Sequence, residues 1–182
     1  MLKENNRSDW RLIKQVEIGA WRTGWLATDA QGNIRLLVSI DKEFFVSRKS
    51  SNYVEEMLSE VRTSSPMDVN LQYGKVAKLF EQRMKKFVGA THANISHVYD
   101  LERSENGSPT AIMEYWIGES ITTALERSPL NLFLAHFKQV FEALSFIHQM
   151  GMLVVHWNPR FLLTDLINGT TKFTNIWHVH TQ

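Results

Sequence analysis

Ile34-Arg-Leu-Leu-Val-Ser-Ile-Asp41 sets Ile34, Leu36, Val38 and Ile40 against Arg35, Leu37, Ser39 and Asp41 with a period of two. Successive side chains of an extended chain point to opposite faces, so this stretch predicts a half-buried strand with Ser39 turned away from the main apolar set. Just before it, Asp29-Ala-Gln-Gly-Asn33 is dense in turn formers and reads as a hairpin link. Trp25–Thr28 is then the preceding strand, and residues 10–18 (Trp-Arg-Leu-Ile-Lys-Gln-Val-Glu-Ile) the one before that.

Further along, Asn52 and Glu55 resemble a capping box, and Val54, Met57, Leu58 and Val61 have helical spacing, which predicts a helix over about 52–62. A second helix is expected from Lys75 to Val88, with Val76, Leu79, Phe80 and Phe87 on one face. Arg83 falls on that face, where an apolar residue is expected. Two strands follow, His97–Leu101 and Ala111–Tyr115, then a short helix over Ser120–Glu126. The longest helix is expected over Leu132–Met150, with Phe133, Phe137, Val140, Phe141, Leu144 and Ile147 as a broad apolar stripe. A closing hairpin pairs Phe161–Leu163 with Lys172–Thr174.

Composition bounds the function. The 182 residues include 20 Lys and Arg against 19 Asp and Glu, a formal net charge of +1. Such balance gives no electrostatic basis for a nucleic-acid or anionic-membrane partner. No cysteine is present, which excludes a disulfide framework and a thiolate metal site or nucleophile, and fits the cytoplasm. Residues 1–9 lack the apolar stretch of a secretory signal, and no apolar run reaches the length of a membrane span. His178 and His180 could share one side of an extended segment, but no third ligand stands beside them, so no metal site is assigned.

Several short stretches, in this order, resemble the protein-kinase fold of eukaryotic-type serine/threonine kinases, bacterial members especially. They are Leu26-Ala-Thr-Asp29 after a glycine-containing turn, His92-Ala-Asn-Ile95 with Val98-Tyr-Asp100, and the hinge-like Ile112-Met-Glu-Tyr115 with Gly118-Glu-Ser120. Gln139-Val-Phe-Glu-Ala-Leu-Ser-Phe-Ile-His148 completes the set. The resemblance spans roughly Trp10 to Trp177. It implies an α+β fold, with an antiparallel β-sheet N-lobe over 10–115 that carries the extra helix near 52–62. A truncated, mainly helical C-lobe over 116–182 would follow.

On that resemblance the catalytic positions are degenerate. The glycine-rich loop that admits backbone amides to ATP phosphates becomes Val16-Glu-Ile-Gly-Ala-Trp-Arg-Thr-Gly24. It keeps Gly19 but puts Glu17 and Arg22 where glycines belong. The strand lysine falls at Ser39, and its helix glutamate at Arg83. Val154, Val155 and His156 stand for His-Arg-Asp, Asn158 for the loop lysine and Phe161 for the metal-binding asparagine. Asn175-Ile-Trp177 stands for the magnesium triplet. Magnesium needs anionic oxygens to offset its dehydration, and Phe161 and Asn175 supply none.

The resemblance therefore implies a pseudokinase: no catalytic set (Ser39, Arg83, His156 and Asn175 being its degenerate positions), no metal, and at most ATP without magnesium near Gly19, Arg22, Glu114 and Tyr115. The alternative is an atypical phosphoryl or nucleotidyl transferase with Arg22, Arg35 or Arg83 on the phosphates and His156 as base. Without later helices to cover it, the Phe133, Phe137, Val140, Phe141, Leu144 face is expected to meet a protein partner or a second copy, or to be covered by the 52–62 helix.

Overall fold

The structure, a computed structural model, describes residues 10–17, 22–42, 69–104, 106–127, 129–154, 159–174, 176 and 179–181. The expected 52–62 helix, Gly19, His156, Asn158, Asn175, Trp177 and His178 lie outside these residues, as do the side chains of Glu17 and His180. The fold is α+β, and the chain divides into two compact units. The first ends at Lys85 and takes in Tyr99–Met113; the second joins Lys86–Val98 to Glu114 and the residues after it. The 86–98 segment thus belongs with the second unit, whose later part begins at Glu114.

The first unit is built on a five-stranded antiparallel sheet. Its strands are β1 (Arg11–Glu17), β2 (Thr23–Thr28), β3 (Ile34–Ser39), β4 (Val98–Arg103) and β5 (Pro109–Glu114). Their spatial order is β1-β2-β3-β5-β4. Between Leu12 and Lys14 the register of β1 slips on β2, which leaves Ile13 as an exposed bulge residue on this edge strand. The β2–β3 link is held by Asp29, whose carboxylate accepts the Gln31 and Asn33 backbone N–H groups (3.0 and 2.8 Å) and the Asn33 side-chain amide (2.8 Å). Gly32, at φ 83°, supplies the left-handed residue that this turn requires.

The simple alternation expected of β3 is not what the strand shows. Ile34 is exposed, whereas Leu37, Val38, Ser39 and Ile40 are all buried. β3 is an inner strand, between β2 and β5, and toward its end residues on both of its faces are buried. Leu37 packs with Ala27 and Ile112 under Trp10, Leu12 and Trp25. On the other face Val38 and Ile40 are buried as well, and the Tyr73 hydroxyl donates to the Ile40 carbonyl at 3.2 Å. Tyr73 belongs to helix α1 (Val69–Phe87), which starts before the expected Lys75. Its buried face runs through Gln72, Val76, Phe80, Arg83 and Phe87, with Ala77 and Met84 alongside.

In the second unit, β6 (Glu119–Ser120) leads into α2 (Ile121–Arg127) and then α3 (Leu130–Gln149). Pro129 starts α3 by accepting the Leu132 and Phe133 N–H groups, and Gly151 at φ 70° ends it, a common glycine terminus. Strand β7 (Met152–Val154) follows and pairs with β10 (Val179–Thr181). Strands β8 (Leu162–Asp165) and β9 (Thr170–Phe173) form the closing hairpin, with β6 beside β8. Their pairing extends past Leu163 to Asp165 opposite Thr170, so the turn is only Leu166–Gly169.

Helix α3 packs on β7 and β9 through His136, Val140, Ala143 and Ile147. This corrects the expected stripe. Val140 is in the core and cannot meet a partner, while Phe141 is 63% exposed. The physical reason is that apolar residues flank both sides of this helix, so the covered half is chosen by what its neighbours offer.

Candidate functional site

Ser39, where the resemblance expects a lysine, is cross-strand from Thr23, and the two hydroxyls lie 2.9 Å apart. Directly opposed residues on neighbouring strands share a face, which is why the pair forms. The start of β2 and the end of β3 therefore bring one hydroxyl each to this point, and Ser39 puts a hydroxyl where the resemblance expects an ammonium group. Arg22 precedes Thr23 and is buried; Arg83 is buried on the inner face of α1, only 6% exposed. A guanidinium stays charged under all ordinary conditions, so Arg83 brings permanent positive charge where the resemblance expects a carboxylate. Arg35, the third cation considered for phosphate, lies over the Tyr99 ring at 4.1 Å and donates to the Ile34 carbonyl at 3.0 Å. Also in this unit, Tyr73 and Ser108 share a 2.7 Å hydroxyl contact that ties α1 to the start of β5.

Of the hinge-like residues, Ile112 and Met113 belong to the first unit, and Glu114 and Tyr115 to the second. The Glu114 carboxylate is gripped through both oxygens by Lys172 Nζ, at 2.6 and 2.7 Å, and accepts the His97 backbone N–H at 3.1 Å. Lys172 also lies 4.5 Å from the centre of the Trp116 ring, a cation–π contact. Both members of the pair are largely buried, so Glu114 is committed to an internal charge pair. Tyr115, next along the chain, is half-buried. The sequence reading singled out Glu114 but missed Lys172. Alternation in β9 gives no signal for the pair, since it puts Lys172 on the face opposite the buried Thr171 and Phe173.

A second polar constellation joins α3, the β8–β9 hairpin and the 92–96 loop. Gln139 Oε1 accepts the Asn94 side-chain amide at 2.8 Å and the Thr171 N–H at 2.7 Å, while Gln139 Nε2 donates to the Gly169 carbonyl at 2.8 Å. Asn94 donates to the Thr171 carbonyl at 3.0 Å, and the backbones of Asn94 and Ser96 bracket Phe173 through two further bonds. The His136 ring contacts Thr171 Oγ1 at 2.9 Å, and Thr171 in turn meets Thr164 Oγ1 at 3.1 Å. Burial pushes the His136 pKa below its usual value, so the ring is neutral near pH 7. His92 and Phe146 face each other with ring centres 4.9 Å apart. Two stretches quoted from the sequence, 92–95 and 139–148, thus meet in space.

Asp165, at the end of β8, is occupied by the hairpin turn. Its carboxylate accepts the Asn168 side-chain amide at 2.6 Å and the Ile167 N–H at 2.9 Å, which hold it below the usual carboxylate range. Among the described residues no three His, Asp or Glu side chains gather as a metal site, and no helix is long and apolar enough to cross a membrane. A scan against protein-family models and a search of curated proteins each return no match for this chain. The kinase resemblance accordingly rests on the motifs and their order within this sequence.

Proposed function

We propose that this chain is a kinase-like domain without phosphoryl-transfer chemistry, a pseudokinase that works through protein contacts, in the cytoplasm. Supporting the reading is the order of elements among the described residues: three strands, a helix, three strands, a short and a long helix, and a later hairpin. The contact between the 92–95 and 139–148 stretches adds to it, since both were read as parts of one motif set. The observation that carries the reading is the Ser39–Thr23 hydroxyl pair at 2.9 Å. Phosphoryl transfer depends on positioning and on neutralising charge. A hydroxyl pair across β2 and β3 and a buried arginine on α1 provide neither the lysine nor its glutamate partner.

A thermal-shift titration with ATP, with and without magnesium, tests this. Ligand at a hundred times its Kd stabilises by about 2.7 kcal/mol, which corresponds to roughly 5–10 °C in Tm for a chain of this size. No shift under either condition is expected. A magnesium-dependent rise of that size, with phosphate passing to a protein hydroxyl, would instead support the transferase built on Arg22, Arg35, Arg83 and His156.

A further inference from the structure

On the side of α3 turned away from β7 and β9, Leu130, Leu134, Phe137, Phe141, Leu144 and His148 follow at intervals of four, three, four, three and four residues. Leu130 is 72%, Leu134 59% and Phe141 63% exposed. From Leu130 to Leu144 the intervals average 3.5 residues, the spacing of a seam by which one helix packs along another, side chain into the gap between four others. The occupant this geometry fits is therefore a helix. The rings of Phe137 and Phe141, with centres 6.3 Å apart, form the middle of the seam.

The order of side-chain types is almost a palindrome. Turned end for end about the level of Gln139, the seam sets Phe137 on Phe141 of the second copy, Leu134 on Leu144 and Leu130 on His148. Large rings then meet rings and branched aliphatics meet aliphatics in every inner layer. A parallel pairing would stack His148 on itself and align the two helix dipoles, which an end-for-end pairing opposes. Lys138 and Glu142 border the seam and pair with each other at 3.7 Å, so the border carries no net charge to repel a second copy.

We propose that two copies of this chain associate through α3 in an antiparallel, two-fold pairing centred between Phe137 and Phe141. It goes beyond the pseudokinase reading and stands on the geometry of α3 alone, so an ATP response would leave it untouched. Five partly exposed apolar side chains amount to on the order of 350 Å² per copy, under half of the roughly 800 Å² per partner in a standard stable interface. The dimer is accordingly weak and depends on concentration.

Sedimentation of the full chain from the low to the high micromolar range tests the association. A monomer–dimer equilibrium is expected, and Phe141→Glu and Leu134→Glu each abolish it while melting at the wild-type temperature. Because the chain has no cysteine, single introduced thiols report the register. Lys138→Cys lies beside the two-fold axis and is expected to cross-link between copies. Two Leu130→Cys thiols would lie about 27 Å apart along the paired helices, at 1.5 Å per residue, and should not. A monomer throughout the range would mean that some other occupant covers the seam, and would overturn the proposal. A dimer insensitive to both glutamates, or cross-linked through Leu130→Cys, would do the same.

Discussion

Replacing Lys172 with methionine keeps most of the side-chain volume and removes the charge opposite Glu114. The carboxylate would keep the His97 N–H but lose the ammonium group from both oxygens. Breaking a fully buried ion pair costs about 3–5 kcal/mol, because the remaining charge is stranded away from water. Lys172 retains 13% and Glu114 23% of side-chain exposure, so the cost falls to the foot of that scale or just below it, about 2–3 kcal/mol. That is roughly 5–10 °C in Tm. The double variant Lys172→Met with Glu114→Gln leaves no stranded charge, and the amide oxygen that replaces the carboxylate still accepts the His97 N–H. It should recover at least about half of the loss, since replacing both partners of a buried pair is far milder than removing one. Urea denaturation of the four proteins in a double-mutant cycle measures the coupling, and repeating it at high salt should change it little, because buried pairs are weakly screened. A coupling under about 0.5 kcal/mol that vanishes with salt would place the pair with solvent-exposed bridges and refute the reasoning.

Three further outcomes follow from the same unit. Gln139→Leu removes three hydrogen bonds and strands the Thr171 N–H; a loss of about 2–3 kcal/mol is expected in urea denaturation. His136 has its pKa lowered by burial, so the unfolded chain binds its proton first as pH falls; its stabilising contribution is complete above about pH 6.5 and declines below it, with a slope of at most about 1.4 kcal/mol per pH unit. His136→Leu should flatten that part of the stability–pH curve relative to wild type. Gly118→Ala would put a methyl group 2.9 Å from the Thr164 carbonyl oxygen, against backbone that cannot swing aside; a cost of about 1–3 kcal/mol in thermal or urea unfolding checks it.

Much of the local structure could be read from neighbouring residues. The Asp29–Asn33 turn, the alternation leading into β3 and the helical period of 130–149 are properties of short segments, and each element formed within a few residues of where its sequence places it. The hydroxyl at Ser39 and the cation at Arg83 were equally legible, because side-chain identity needs no folding to be known. What the candidate residues touch was not. Glu114 gives no hint in its own stretch of Lys172, fifty-eight residues away.

The amino-acid order by itself placed the first five strands, the closing hairpin and the three helices, and put a cation, Arg83, on the apolar face of α1. Only the tertiary structure decided which half of α3 is inside and that residues 86–98 join the second unit. Both outcomes have one cause. Thr171 offers its hydroxyl to His136 and its N–H to Gln139, and the Phe173 backbone takes up Asn94 and Ser96. Polar groups leaving water must find partners, and those partners lie too far along the chain for periodicity to reveal them. Phe141 therefore stays in solvent while a histidine, only 2% exposed, takes the core position.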